Sequence, residues 1–330
     1  GNVEQVESDG EGGIAAIVLT TGDRLTGDLF VDCTGQRALL IGRQPEAEFV
    51  SARHILFNDT AIAVQVPYAD AGQPIASVTC ATATNSGWIW DIGLQTRRGV
   101  GHVYSGAHMS EPEALVTLRD YIRKVSPQTD LDRLGFRKIR FEPGYRRKFW
   151  VGNCVAVGLS GGFIEPLEAS ALALIEQSAN LISRQLPVNR AMMEVVARRF
   201  NEKMAYHWER VIEFLKLHYV LSQRDDSDYW RACRDLASCP DSLRDMRLLW
   251  QQQALWQDDA PRVDELFPSA SYQFVLYGMG FRPALRATRG AALHRDSERV
   301  RSVLRANAEK SRQLRQLLPT NRELLTSMTS

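Results

Sequence analysis

The chain has 330 residues, 44% of them hydrophobic, with 40 basic and 39 acidic side chains and a formal charge of +1. This length and apolar fraction build a sizeable core, in two domains or in one large domain with an appendage. The balanced charge excludes the electrostatic footprint of a nucleic-acid or anionic-membrane binder, and no apolar run reaches the roughly 18 residues of a membrane span.

The first residue is Gly1, and the text soon becomes strand-like over residues 13–20 (GIAAIVLT), so the chain reads as starting in mid-domain. A turn signal at Thr21, Gly22 and Asp23 predicts a hairpin whose second arm is residues 27–35 (GDLFVDCTG). An apolar strand ending in Asp-x-x-Gly is what a nucleotide-binding sheet places near a ribose or diphosphate, although plain turns look the same. Residues 53–105 read as mostly β, with period-two alternation over 61–66 ended by Pro67. Further strands are predicted over 78–92 and 101–104, joined through residues 97–99. Ser110 and Glu113 form a capping box with a proline in the first turn, opening a helix to about Lys124. A strand pair, 137–141 with 148–151, is expected around Pro143 and Gly144.

Residues 154–157 (CVAV) read as a strand running into residues 158–171 (GLSGGFIEPLEASA), a glycine-rich turn that opens a helix. Strand, turn and helix start in that order leave bare backbone N–H groups and a positive dipole end in one place. Pro166 suits a first helical turn, and the amides of Ser170 and Ala171 are positioned to receive an anion or a flavin carbonyl. Glu165 and Glu168 sit at the mouth, either as plain dipole partners or as chemical groups. A long helix is predicted from about Arg190 to Leu221 and a shorter one near Asp226, and the last third is helical and charged.

Trp88 and Trp90, two apart on a predicted strand, face the same side and make an aromatic wall or ordinary core. His207 and His218 lie about three turns apart on the long helix, where packing explains them. The histidines and the scattered cysteines Cys33, Cys80, Cys154, Cys233 and Cys239 show no metal-ligand spacing, and the thiols read as reduced, in a cytoplasmic protein. No Gly-x-Gly-x-x-Gly fingerprint is present.

Together, residues 27–35, 87–92 (GWIWDI), 95–99 (QTRRG), 150–153 (WVGN) and 158–171 resemble the flavin-dependent halogenases of the tryptophan halogenase type. The resemblance implies an α/β flavin-monooxygenase-like fold with a C-terminal helical module. Residues 1–185 would be the FAD-binding and substrate domain, β-rich over about 51–134, and residues 186–330 a helical substrate-capping module. It also implies that the N-terminal phosphate-binding part and the catalytic lysine lie upstream of this chain. The cofactor implied is FAD, reduced by a separate flavin reductase. Its hydroperoxide is attacked by chloride or bromide, and the hypohalous acid formed halogenates an indole or tryptophan-like aromatic.

By resemblance, Glu168 is the catalytic glutamate and the amides of Ser170 and Ala171 hold the halide. Gly35, Gly158, Leu159 and Pro166 lie along the cofactor. Trp88 and Trp90 separate flavin from substrate. Two features depart from the family: Gly93 stands where a proline is usual, and residues 169–171 read Ala-Ser-Ala where Ser-Thr-Gly is usual. The expectation is an enzyme without nucleic-acid or membrane partners, with room for a homodimer. The alternatives are a flavin monooxygenase that hydroxylates an aromatic directly, and a non-catalytic fragment that aggregates or binds FAD poorly.

Overall fold

A computed structural model of the chain describes residues 1–284 and 297–328. Its strands form four sheets among the described residues. The first is antiparallel, with strands β1 (Val3–Ser8), β2 (Ile14–Leu19) and β3 (Arg24–Leu25), the turn at residues 21–23 closing the predicted hairpin. β1 has no counterpart in the sequence reading, because its text is largely polar and its side chains are half-buried or exposed.

The expected second arm of that hairpin divides. β4 (Phe30–Asp32) leaves the sheet and pairs in parallel with β13 (Cys154–Ala156), with β12 (Trp150–Val151) on the far side. The reason is burial: Phe30 and Asp32 both point inward. A buried carboxylate needs donors, and the following loop supplies the amides of Thr34, Leu40 and Ile41 and the Thr34 hydroxyl. Asn153 ties this sheet to the first one, its side chain bonding both the N–H and the C=O of Ile14.

The largest sheet has five strands in the order β10 (Arg137–Arg140), β6 (Thr60–Pro67), β9 (Arg97–Tyr104), β8 (Gly87–Gly93), β7 (Cys80–Thr84). One face carries Ile62, Val64, Ile89 and Val100 onto Ala114, Leu118 and Ile122 of helix α1 (Glu111–Val125). Those α1 residues recur every four positions, the spacing of one helix face, and the Ser110–Glu113 box caps the helix as predicted.

Two strand expectations are corrected. Residues 97–99 lie inside β9, and the turn falls at 94–96. Arg98 belongs to the strand because it grips Asp91 of β8 through both Nε and Nη2, while its Nη1 reaches Ser126 at 2.7 Å. Residues 137–141 and 148–151 do not pair with each other. β10 joins β6, while β11 (Gly144–Arg146) joins β5 (Phe49–Ser51) and β14 (Gly162–Phe163). Gly144 makes the change of sheet feasible: at φ 153° a Cβ there would lie 2.3 Å from the Val50 carbonyl oxygen.

Helix α2 (Ser170–Arg184) is followed by α3 (Arg190–Leu221), capped by Asn189 and roughly 48 Å long at 1.5 Å per residue. From residue 211 to 217 α3 is buried all round, Glu213 and Lys216 included. Lys216 donates to the Ile55 carbonyl and to Ser238, and Glu213 meets Arg210 and Ser242. Near the other end, Asn201 accepts from the amides of Phe149 and Trp150, both at 2.8 Å, locking α3 onto the sheet that holds β4.

Helices α4 (Asp228–Arg234), α5 (Asp241–Gln252) and α6 (Ser269–Gly278) pack against α3 or its neighbours. The main core runs from Ala52 and Leu56 through Phe149, Trp150 and Leu174 to Met204, Trp208 and Cys233, so chain on both sides of residue 185 shares it. After α7 (Ser297–Leu317), helix α8 (Asn321–Ser327) returns to the large sheet. There Arg322 stacks on Tyr68 and bonds the carbonyls of Gln73 and Gln95, beside the turn that follows β8.

The Asp91–Arg98 pair is nearly sealed, with side chains 7% and 12% exposed. Removing the cation strands a buried carboxylate held otherwise by Tyr121. Arg98→Ala is expected to destabilise the protein by about 3–5 kcal/mol in urea unfolding. A loss below about 1 kcal/mol would show that solvent reaches Asp91.

Candidate functional site

β4 and β13 are parallel, and both run out at the same edge. β4 leads to the turn at Gly35 and β13 to the turn at Gly158. The two turns pack together, with the Val157 amide bonding the Asp32 carbonyl at 3.0 Å and the Ser160 hydroxyl bonding it too. A crevice beyond the carboxyl ends of parallel strands is where open α/β sheets bind ligands. Gly35 has φ 75° and open space where a side chain would be, and Gly158 has φ 73°.

A cleft of about 510 Å³ lies here, lined by Gln36, Phe49, Arg140, Arg146, Leu159 and Phe163 among others. Its size falls in the range of small-molecule sites, and its walls carry aromatic and cationic side chains. On the other side of Leu159 and Phe163 is a small apolar cavity of about 30 Å³, bounded by Phe149, Ser170, Ala171, Leu174 and Trp208. It has room for one ion or water.

α2 begins at Ser170, and this corrects the expectation that Pro166 lies in its first turn. Pro166 stands outside, exposed, because the chain makes a tight turn before the helix. Glu168 and Ala169 both take left-handed backbone conformations, φ 62° and 51°. This costs an L-residue about 1–2 kcal/mol each. The turn brings two things together. The amides of Ser170 and Ala171 become the first two of the helix, directly after a single 3-10 turn over Leu167–Ala169, and Glu168 is turned toward α3.

There its Oε1 lies 3.0 Å from His218 Nε2. His218 Nδ1 lies 2.9 Å from the Phe214 carbonyl, which can only accept. Nδ1 is therefore the ring nitrogen that donates to the helix, and Nε2 is the one that faces Glu168. The His218 hydrogen bond keeps the Glu168 carboxyl below the usual glutamate range, against partial burial.

Glu165 is not at the mouth of the turn but inside the protein, 2% exposed. Its Oε2 accepts from Tyr219 Oη at 2.6 Å, Trp88 Nε1 at 2.7 Å and Asn58 Nδ2 at 2.7 Å, while Oε1 is buried with no partner. Asn58 in turn accepts from the Tyr229 hydroxyl at 3.0 Å. Burial pushes the Glu165 carboxyl up, and the bonds from Trp88, Tyr219 and Asn58 oppose this only in part.

Trp88 and Trp90 do share one face of the sheet, their rings 6.3 Å apart at 64°. Their surroundings differ. Trp88 is buried against Glu165, whereas Trp90 lies over Gly101 and borders an open groove with Gln65, Arg137 and Ile139. Of the two histidines read as packing residues, His207 is buried 3.5 Å from Asp264, while His218 reaches the site. His218, Tyr219 and Asn58 are the site residues that sequence reasoning missed. The His-Tyr dipeptide on the predicted helix was the one available signal.

The raised Glu165 carboxyl has a stability consequence. A group that binds its proton more tightly when folded favours the native state at low pH. That advantage is lost as pH rises from the ordinary glutamate pKa of about 4.3 through the higher folded value. Glu165→Gln keeps an acceptor oxygen and cannot ionise. It is therefore expected to gain stability relative to the parent as pH rises, in urea melts at about pH 4.5 and pH 8. A difference that does not change with pH would show that Glu165 titrates normally.

The family model described as tryptophan halogenase matches residues 1–311. The tryptophan 7-halogenase RebH of Lentzea aerocolonigenes is 31% identical over 339 residues, covering 98% of this chain and 62% of that protein. The 7-chloro-L-tryptophan 6-halogenase KtzR of Kutzneria sp. (strain 744) is 34% identical, with 99% and 62% covered. Among solved structures, a tryptophan halogenase from Shewanella frigidimarina NCIMB 400 superposes with a TM-score of 0.91 at 45% identity, covering 98% of this chain and 61% of that one. BrvH, a flavin-dependent halogenase from Brevundimonas sp. BAL3, gives 0.85 at 33%, with 99% and 64% covered. The chain thus spans about three-fifths of the length of these relatives. It belongs to the tryptophan halogenase family.

Proposed function

We propose that the protein carrying this chain is a flavin-dependent halogenase acting on an electron-rich aromatic, an indole or tryptophan-like ring. The observation that carries the reading is the turn at residues 165–171: a carboxylate paired with a histidine lies two residues before the first amides of a helix, near a cleft at the ends of two parallel strands. Family membership and the relatives' names support the same chemistry.

Gly35, Gly158, Leu159 and Pro166 would line the flavin. Reduced FAD, delivered by a separate flavin reductase, supplies the oxygen activation that turns chloride or bromide into hypohalous acid. The Ser170 and Ala171 amides, at the positive end of α2, hold the halide without side-chain obstruction.

In the substitution, a ring carbon gains the halogen and gives up its proton. Glu168 stabilises the cationic ring and accepts that proton on its carboxylate. Trp88 and Trp90 keep the aromatic substrate apart from the flavin, so the ring is not hydroxylated directly.

The test is product analysis with FAD, a flavin reductase, oxygen, indole or tryptophan, and chloride or bromide. Halogenated product that requires halide is expected. Glu168→Gln is expected to lose at least ~100-fold in turnover with flavin binding retained. An oxygenated product formed without halide would establish a monooxygenase instead, and full activity in Glu168→Gln would remove the glutamate from its role.

A further inference from the structure

Glu165 and Glu168 belong to one turn, and both reach α3, where they meet neighbouring residues. Tyr219 bonds Glu165 and His218 bonds Glu168. A single hydrogen bond lets a helix swing about the contact. Two, at adjacent residues pointing about 100° apart around the axis, fix both distance and rotation. The same Glu165 oxygen also holds Trp88 of β8 and Asn58 of the loop before β6, and Asn58 holds Tyr229 of α4. Three separate elements are therefore registered on one atom, and a fourth, α4, is held through Asn58.

The other carboxyl oxygen is buried and unpartnered. Among the described residues no cation contacts the carboxyl: buried Lys216 bonds Ile55 and Ser238 instead, and His218 is committed to Glu168 and Phe214. An apolar side chain of similar volume would fill this place without the desolvation penalty that an unpaired buried charge carries. What the carboxylate supplies is a point of convergence for three donors.

We propose that Glu165 is a positioning residue for Glu168: by gathering Tyr219, Trp88 and Asn58 on Oε2 it sets α3 and β8 against the turn, so that His218 Nε2 meets Glu168 Oε1. The role rests on the proposed function of Glu168, but the geometric claim is measured without turnover.

The readout is the titration of the Glu168 side-chain carboxyl by ¹³C NMR, assigned by its loss in Glu168→Gln. Trp88 emission is read alongside, as the difference from Trp88→Phe. Glu165→Gln, which still offers one oxygen to three donors, is expected to leave the Glu168 titration below the ordinary range, as in the parent. Glu165→Ala offers none. In it the Glu168 titration is expected to move up into the ordinary glutamate range and the Trp88 emission maximum to shift.

Should Glu165→Ala fail to fold, Tyr219→Phe removes only the helix arm and is expected to raise the Glu168 titration part of the way. A Glu168 titration unchanged in folded Glu165→Ala, or in Tyr219→Phe where the alanine variant does not fold, overturns the proposal. These outcomes hold whether or not halogenated product is found, so the two readings fail separately.

Discussion

Three residue pairings, Phe30 with Cys154, Val31 with Val155 and Asp32 with Ala156, hold together two stretches of chain far apart in sequence. The ladder is short for the loop it closes, and loop closure carries an entropic cost. Its stability comes from what surrounds it: the fully buried Asp32 capped by its own loop, and Asn153 and Asn201 bonding backbone on either side. Everything proposed for the cofactor cleft follows from this pairing. Without it the turns at Gly35 and Gly158 would be two unrelated loops.

α3 is the second organiser. Over residues 211–217 this helix is buried on all sides and has no amphipathic stripe to choose its rotation, so polar anchors choose it. Asn201, Lys216, His218 and Tyr219 do this at successive points along its length. Each anchor is satisfied by a carbonyl, an amide, a hydroxyl or a carboxylate of a different element. A typical buried hydrogen bond nets about 0.5–1.5 kcal/mol when made, whereas a buried polar group left unpaired costs about 1–3 kcal/mol, and more when charged. Such anchors therefore penalise wrong registers more than they reward the right one. The site sits where the last two of them meet the turn.

Local patterns were legible in the sequence and long-range pairings were not. The ends of α3, the Ser110–Glu113 box and the shared face of Trp88 and Trp90 follow from spacing within a few residues. The sheet membership of β4, β11, β12 and β14 does not, because strands of two or three residues carry too little alternation to name a partner. Glu165 misleads for a related reason. A carboxylate three residues before another at a predicted helix start reads as an exposed dipole partner, and only the fold shows that the turn drives it inward. His218 was hidden by its setting: on a long helix a histidine beside a tyrosine has the composition of ordinary packing. The motifs at residues 35 and 158–171 were found because glycine and proline mark backbone geometry directly.

The left-handed pair Glu168–Ala169 sets two selective pressures against each other at one codon. A single nucleotide change converts an alanine codon to glycine, and glycine at position 169 would relax the backbone that alanine holds at φ 51°. The same change would widen the arc through which Glu168 can point. A lineage screened only for heat resistance would be drawn to glycine here, and one screened for product would, on the role proposed for Glu168, be held at a residue with a Cβ. Position 169 is therefore where directed evolution of this scaffold would first reveal which of the two was being selected.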